Sequence, residues 1–321
     1  MQEILVIRFS SIGDIVLCTP VFRLLKLKFQ EAKITFLTKD KFKAILEGND
    51  NIDRILAWDH ADDRKELSEL NFDAIVDLHS NLRSFLVKLR FWHVPRTSLN
   101  KENLYKLLFT LTKWKLFEVS SIVERYIDTL KVWNIENDEK GLDFEGQAIV
   151  PGIESLGKFV TIVLGGTYAT KRIPQNKLEE LFAEMQNTQF VLIGGKEEQE
   201  IGNLLAEKYP NHVISKCGAL NINESATIMK CSEIVIAGDT GMAHIAAALG
   251  KPLAVIWGNT SRGYGMSPVP KQGIELKHFE VEGLGCRPCS KLGYGVCPKQ
   301  HFKCMEAQKM EEVREFAEKY L

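Results

Sequence analysis

A short segment near the start of the chain places a carboxylate where it can act as a base. Residues 8–14 (Arg-Phe-Ser-Ser-Ile-Gly-Asp) follow an apolar run and lead directly into a helical pattern. Ser10 or Ser11 can cap that helix, and Gly13 lets another group approach the backbone closely. Asp14 falls in the first helical turn. Two interpretations of Asp14 remain open: an acid favoured by the helix dipole, and a general base at a strand end.

Three glycine-rich turns in the second half of the chain suit a diphosphate ligand. Glycine lets a phosphate oxygen reach backbone N–H groups, and a helix start supplies several such donors together. Lys171 and Arg172 add positive charge to the first turn. Ordinary glycine usage, a capping role for Asp239 and a packing role for His244 are the alternatives. The candidate ligand-binding residues of the three turns are Gly166, Thr167, Lys171 and Arg172; Gly195 and Glu197; and Asp239, Thr240, Gly241 and His244.

Several familiar catalytic and binding motifs are absent from the sequence. It contains neither the G-x-G-x-x-G dinucleotide fingerprint nor a phosphate-binding P-loop, which disfavours a dehydrogenase. The H-E-x-x-H, G-x-S-x-G and D-x-D motifs are also missing, which argues against zinc proteolysis, α/β-hydrolase chemistry and metal-carried nucleotide-sugar binding.

The elements that must position these residues alternate between strand and helix. Apolar runs without polar alternation, rich in Ile, Val and Leu, predict parallel strands covered on both faces. Helical spacing between them implies right-handed crossovers and open, doubly wound α/β sheets. The predicted strands are 4–9, 34–37, 74–78, 160–164, 190–193, 234–237 and 253–257, and the predicted helices are 15–29, 178–185, 198–208, 242–249 and 305–321.

Length and composition indicate two globular domains. The chain has 321 residues, and 41 basic against 42 acidic side chains give a net charge of −1. This balance and a mean hydropathy of −0.11 exclude a disordered chain, a membrane bundle and global attraction to nucleic acid. A loosely patterned stretch near residue 150 predicts domains over 1–150 and 151–321, with a ligand cleft between them and the C-terminal helix packing back on the first. We expect a cytoplasmic protein.

Two segments together resemble a known enzyme family. Residues 6–16 (VIRFSSIGDIV), followed by Thr19 and Pro20, look like the opening of the heptosyltransferases of glycosyltransferase family 9. Residues 238–252 (GDTGMAHIAAALGKP) and 257–260 (WGNT) are similar to that family's second signature. The two segments stand in the family's order, near opposite ends of a chain of the family's length.

The resemblance implies a GT-B architecture, with two Rossmann-like domains that bind the acceptor and the nucleotide-sugar respectively. Such enzymes transfer a heptose from ADP-heptose to the inner core of lipopolysaccharide, with inversion at the anomeric carbon. Asp14 matches the family's base, and Thr167 and Lys171 match the loop that holds the donor diphosphate. Glu197 corresponds loosely to an acid near the donor ribose. Asp239, Thr240, Gly241 and His244 match the phosphate- and sugar-binding segment.

A basic and aromatic segment between residues 82 and 117 has no counterpart in either motif. Its eight basic residues and one acid give a local charge of 8 − 1 = +7. We interpret it, with Ser10, Ser11, Gly13 and Arg83, as a surface for an anionic glycolipid acceptor at the inner face of the inner membrane. The alternative is a solvated charged face over a helix core. The basic residues are Arg83, Lys88, Arg90, Arg96, Lys101, Lys106, Lys113 and Lys115, and the aromatic residues are Phe85, Phe91, Trp92, Tyr105, Phe109, Trp114 and Phe117.

Four cysteines lie close together near the C-terminus. The pair Cys286 and Cys289 has the spacing of a zinc half-site, which Cys297 and Cys304 would complete. Reduced thiols that pack a loop are the favoured alternative. The three other cysteines, Cys18, Cys217 and Cys231, are predicted to be core residues.

We therefore predict an inverting glycosyltransferase that needs no cofactor or metal, with Asp14 as base and Lys171 and the helix start at Thr240 stabilising the leaving diphosphate. The partners are a nucleotide-sugar, an anionic glycolipid and the membrane surface, and nucleic acid is not one of them. Two alternatives stay open: a transferase or epimerase of the same fold that uses another nucleotide-sugar, and a non-catalytic protein that binds a nucleotide-sugar or glycolipid.

Overall fold

A computed structural model of the protein describes residues 1–113, 119–146 and 148–321. These residues form two compact units. The first unit contains residues 1–103 and 120–146, and the second contains residues 104–113, 119 and 148–321. The chain thus passes briefly into the second unit before its main crossing after Gly146. The cause is local packing, because the Phe109 ring meets Tyr264 edge-on at 5.1 Å, and Thr110 shares a hydrogen bond with the same tyrosine.

The first unit is built on a parallel five-stranded sheet in the order β3-β2-β1-β4-β5. The predicted strands 4–9, 34–37 and 74–78 are confirmed as β1, β2 and β4, while the short β3 and β5 were not predicted. Each strand pairs in parallel with its neighbours. The strands are β1 (Glu3–Ile7), β2 (Lys33–Thr38), β3 (Arg54–Ala57), β4 (Ala74–Asp77) and β5 (Arg96–Ser98).

Helices cover the first sheet, and one predicted helix is divided. The pattern over residues 15–29 is two helices rather than one, because Pro20 lacks an N–H and its ring would clash with the Val16 carbonyl in a continuous helix. The Thr19 hydroxyl donates to that carbonyl instead. The helices up to residue 128 are α1 (Ile12–Val16), α2 (Thr19–Lys28), α3 (Ala61–Glu69), α4 (Leu82–Arg90), α5 (Asn103–Thr112) and α6 (Ile122–Asp128).

The second unit has a parallel six-stranded sheet in the order β11-β10-β9-β6-β7-β8. Its four predicted strands are confirmed as β6, β7, β9 and β10, which are almost fully buried. The strands are β6 (Phe159–Val163), β7 (Gln189–Ile193), β8 (Val213–Ser215), β9 (Ile234–Gly238), β10 (Leu253–Trp257) and β11 (Leu276–Glu280). The helices are α7 (Gln175–Glu184), α8 (Gln199–Lys208), α9 (Ile222–Cys231), α10 (Gly241–Ala248), α11 (Lys303–Glu306) and α12 (Met310–Glu318).

The C-terminal segment differs from its prediction in the number of its helices. The single helix expected over residues 305–321 is the pair α11 and α12. The apolar side of α12 joins the core of the second unit through the fully buried Val313 and Phe316, and Phe316 packs against Phe279 of β11. The apolar face of this helix is therefore covered within the second unit, and its packing on the first domain stays a prediction.

Both sheets reverse their strand order at one point. In the first sheet the chain leaves β1 toward β2 on one side and reaches β4 on the other; in the second sheet β6 and β9 have the same relation. Loops that follow such a pair of strands diverge, so a crevice opens at the carboxyl ends of the strands, where ligands bind in open α/β sheets. The predicted class, two doubly wound α/β sheets, is confirmed. Within the described ranges, no helix has the length and apolar character required to cross a membrane.

Candidate active site

Asp14 lies beside the point where the first sheet reverses its order. It is the third residue of α1, which begins shortly after β1. Arg8 Nη2 lies 2.6 Å from Asp14 Oδ1, while the Ser11 backbone N–H and hydroxyl donate to Oδ2 at 3.0 and 2.7 Å. Burial acts to raise the pKa of Asp14, but the Arg8 charge and the Ser11 hydrogen bonds outweigh it, and the pKa lies below its usual value. The carboxylate is therefore ionised at neutral pH.

Arg8 fixes the orientation of this carboxylate. Its side chain is about 10% exposed, and it also donates to the Leu78 carbonyl at 2.6 Å and the Ser10 carbonyl at 2.7 Å. These bonds connect the loops that follow β1 and β4. The guanidinium also lies 5.7 Å from the centre of the Tyr126 ring. With so many partners, Arg8 presents one rigid arrangement to Asp14.

A histidine that the sequence did not single out stands at the same edge. His79 follows β4, and its ring meets Phe9 edge-on at 5.4 Å. Arg83, a predicted acceptor-side residue, covers the same Phe9 ring at 5.3 Å. Burial, then the charges of Arg8 and Lys101, lower the pKa of His79 to about 4. The signal available in the sequence was its position directly after a buried strand.

In the second unit, an ion pair joins two of the predicted donor-binding residues. Lys171 Nζ lies 2.6 Å from Asp239 Oδ2, and the Thr260 hydroxyl donates to the same oxygen at 2.8 Å. Lys171 follows β6 and Asp239 follows β9, so the ion pair connects the two loops at the reversal point of the second sheet. Both side chains remain partly exposed, at 16% and 11%.

Two glycines allow the Lys171 loop to lie flat across the strand ends. A Cβ on Gly238 would overlap the Lys171 carbonyl oxygen, and a Cβ on Gly258 would overlap that of Thr170. Any other residue would displace the loop. Glycine is therefore required at both positions, because two backbone segments approach each other closely there.

Arg172 forms ion pairs with two carboxylates, and these pairs could not be predicted from the sequence. Its Nη2 lies 2.8 Å from Glu197 Oε2 and 2.9 Å from Glu198 Oε1, and its Nε donates to the Gly166 carbonyl. Glu198, which is buried, also accepts from the Gly195 N–H at 2.9 Å. Arg172 therefore connects the loops that follow β6 and β7. Thr167 is exposed in the first of these loops.

Buried polar atoms without partners follow β9 and β10, which are neighbours in the second sheet. Among the described residues, the Thr240 hydroxyl and both polar atoms of the Asn259 amide have no hydrogen-bond partner, and Asn259 is 2% exposed. Thr240 precedes Gly241 at the helix start, and the helix residue His244 is buried. An unpaired buried polar group costs about 1–3 kcal/mol, so a ligand that supplies the missing partners would bind favourably. Asn259 was not predicted as a site residue.

The C-terminal cysteines do not converge on one point. Cys286 Sγ lies 3.8 Å from His301 Nε2, and Cys289 donates to the Cys286 carbonyl. The described part of the chain contains no group of three or more His, Cys, Asp or Glu side chains placed to hold a metal ion. The geometry gives no support to zinc at Cys286, Cys289, Cys297 and Cys304. The core prediction holds for Cys18 and Cys217, but Cys231 is exposed.

The basic and aromatic segment divides between core and surface. Phe91 and Phe109 are buried, whereas Phe85 and Trp92 are 51% and 73% exposed. Lys115, Trp114 and Phe117 lie outside the described residues. Helix α4 exposes four apolar side chains, Leu82, Phe85, Leu86 and Leu89, with Trp92 just beyond its end, and α5 also exposes apolar side chains.

Comparison with known proteins gives consistent results. Residues 62–289 match glycosyltransferase family 9 (heptosyltransferase). Lipooligosaccharide heptosyltransferase 2 of Haemophilus influenzae is 23% identical, with 91% of this chain and 93% of the relative covered. The protein of the same name from Campylobacter jejuni is 24% identical, with 97% and 95% covered.

Solved structures show the same fold at low identity. The glycosyl transferase family 9 structure from Veillonella parvula has a TM-score of 0.75 and 18% identity, with 99% of this chain and 97% of that chain covered. The structure of E. coli heptosyltransferase WaaC with ADP has a TM-score of 0.70 and 17% identity, with both chains fully covered. The predicted family and the GT-B class are confirmed.

Proposed function

The chain belongs to glycosyltransferase family 9, and from this premise we propose that it is an inverting transferase that moves a heptose from ADP-heptose to the inner core of lipopolysaccharide. The first unit would bind the acceptor and the second unit the nucleotide-sugar. The observation that carries the proposal is the ionised carboxylate of Asp14, held by Arg8 and Ser11 at the strand-order reversal of the first sheet.

The proposed base is well positioned but intrinsically weak. Ser11 occupies Asp14 Oδ2 with two hydrogen bonds, whereas Arg8 alone approaches Oδ1 among the described residues. Since each carboxylate oxygen has two lone pairs, Oδ1 can accept a further bond from an acceptor hydroxyl. A lowered pKa makes Asp14 less basic, so we expect proton transfer late in the reaction, as the attacking oxygen becomes acidic.

The second unit would stabilise the leaving group. The acceptor oxygen attacks the anomeric carbon, its proton passes to Asp14, and the bond from that carbon to the diphosphate breaks with release of ADP. Lys171 and the backbone N–H groups at the start of α10 would stabilise the charge that develops on the diphosphate. Asp239 holds Lys171 in place. Because these groups supply positive charge, we propose a metal-independent reaction.

The unpaired polar atoms at this edge support a donor site. The Thr240 hydroxyl and the Asn259 amide together offer donors and acceptors, which match the mixed polar groups of a nucleotide-sugar. Arg172 and Glu197 would border the same ligand. A transferase or epimerase that uses a different nucleotide-sugar would exploit the same atoms, so the donor must be identified by assay.

Helix α4 would bring the enzyme to its lipid-borne acceptor. Its apolar face is exposed, and Arg90 and Arg96 lie exposed at its C-terminal end. Apolar side chains beside cations favour an anionic bilayer surface, where each cation contributes about 1 kcal/mol. We therefore propose peripheral association with the inner face of the inner membrane.

Replacement of Asp14 tests the proposed function. Asp14→Asn keeps the shape of the side chain and removes its basicity, so heptose transfer should fall by about 10²–10⁴-fold. Steady-state transfer from ADP-heptose to heptose-deficient lipopolysaccharide measures the rate, and ADP binding by calorimetry reports that the second unit is intact.

The matched control is Asp62→Asn. Asp62 is also an acid in the first turn of a helix, α3, but it is exposed. Its replacement should leave the transfer rate unchanged. If Asp14→Asn retains a near-normal rate, Asp14 is only a helix-stabilising acid and the proposed mechanism is wrong.

A further inference from the structure

The loop after β4 holds His79 in a fixed position. The fully buried Asp77 accepts the His79 and Ser80 backbone N–H groups with Oδ1, at 3.0 and 2.8 Å. Its Oδ2 accepts the Ser84 hydroxyl at 2.8 Å and lies 2.7 Å from Lys88 Nζ. Both oxygens of Asp77 are thus used to shape this loop. An arrangement this specific fixes the backbone on which His79 stands.

The His79 imidazole is neutral and incompletely bonded. Burial and the nearby charges of Arg8 and Lys101 disfavour its protonation and lower its pKa to about 4. Its Nδ1 is buried and has no hydrogen-bond partner among the described residues. The edge-on contact with Phe9 constrains the ring, and the His79 side chain as a whole is only partly buried.

The surroundings of His79 connect it to the proposed base. Arg8 pairs with Asp14 and also donates to the carbonyl of Leu78, the residue that precedes His79. The Arg83 guanidinium lies over the Phe9 ring, which the His79 ring also contacts. The imidazole, the ionised carboxylate and two guanidinium groups are therefore linked through contacts at the carboxyl ends of β1 and β4, where a ligand of the first sheet is expected.

We propose that His79 is an acceptor-contacting residue whose Nδ1 forms a hydrogen bond with a sugar hydroxyl of the acceptor, next to the hydroxyl that Asp14 deprotonates. A hydroxyl both donates and accepts, so it satisfies either neutral tautomer of the imidazole. The guanidinium groups nearby favour an acceptor that also carries negative charge. This inference rests on the proposed transferase function and adds a second contact to its acceptor site.

Two substitutions distinguish the role of the His79 Nδ1 atom from the role of ring packing. His79→Phe keeps the ring packing against Phe9 but removes Nδ1, so KM for heptose-deficient lipopolysaccharide should rise about 10-fold or more, with KM for ADP-heptose unchanged. His79→Asn places a polar atom near the position of Nδ1 and should keep KM for the acceptor within about threefold of wild type. His60→Phe, which removes an exposed imidazole of the same unit, is the matched control.

The outcomes are distinct. A raised acceptor KM in His79→Phe, restored in His79→Asn, supports the contact, and ADP binding by both variants shows that they are folded. An acceptor KM that stays at the wild-type value in His79→Phe overturns the contact alone. Equal losses in both variants make His79 a structural residue. If the wild-type protein transfers no heptose at all, the proposed function itself fails.

Discussion

Two neutral histidines should make the protein sensitive to mild acid. The pKa of His79 and that of His278 are both lowered to about 4, first by burial and then by arginine charge. Since an unfolded histidine has a pKa near 6.5, the unfolded chain binds more protons between these values. The free energy of unfolding should therefore decrease as the pH falls from about 6.5 toward 4.

Urea denaturation at several pH values from 7.5 to 4.5 measures this effect. His79→Phe should lose less stability than wild type over that range, whereas the exposed-site variant His60→Phe should follow the wild-type curve. Identical pH dependence in all three proteins would show that His79 is not held neutral in the folded state.

Some functional residues are evident in the sequence, whereas others depend on packing. Asp14, Lys171 and Asp239 could be predicted because they follow strands and stand in motifs. His79, Glu198 and Asn259 could not, since their significance depends on burial and on bonds made or missing after folding. The charge of Arg172 was evident in the sequence, but its contacts with Glu197 and Glu198 require two loops to meet in space.

At the scale of elements, apolar runs predicted the central strands of the two sheets but not the edge strands. The strands β3, β5 and β8 have three or four residues, and β11 is largely half-buried, so none has a distinct apolar pattern. Their place in a sheet is decided by pairing with a neighbour. Helix α5 was equally unpredictable, because its assignment to the second unit follows from the contact of Phe109 with Tyr264.

The exposed apolar face of α4 gives a testable prediction about membrane binding. Replacing both Phe85 and Leu89 by Ser removes apolar area from its exposed face and should weaken binding to phosphatidylglycerol-containing vesicles about 10-fold or more. Vesicle co-sedimentation measures the affinity, and Leu27→Ser, at an exposed leucine of α2, is the matched control.

The dependence of vesicle binding on salt and on lipid charge tests whether the cations near α4 contribute to binding. Binding of the wild-type protein should decrease with added salt and be weaker on phosphatidylcholine vesicles, because the cations near α4 contribute. Equal vesicle binding by the double variant and the Leu27→Ser control would contradict a membrane-docking role for this helix.

At the scale of the whole molecule, the two units share one arrangement of sheet and site. Both units are doubly wound sheets, and in each an ion pair lies after the strands that flank the reversal of strand order: Arg8 with Asp14 in the first unit, and Lys171 with Asp239 in the second. The net charge of −1 conceals this distribution, since cations concentrate locally. Fold and family were predictable because one motif leads from β1 into α1 and the other from β9 into α10, at the strand-order reversal of each sheet. The identity of the acceptor was not, because the segment between residues 80 and 150 carries no family motif.

The most direct measurement is analysis of the product formed from ADP-heptose and heptose-deficient lipopolysaccharide in the presence of EDTA, with UDP-sugars offered in parallel. We predict that one heptose is added, with anomeric configuration opposite to that of the donor by NMR, and that UDP-sugars are not used. Retained configuration, preference for a UDP-sugar, or activity that returns only when magnesium is added would contradict the account.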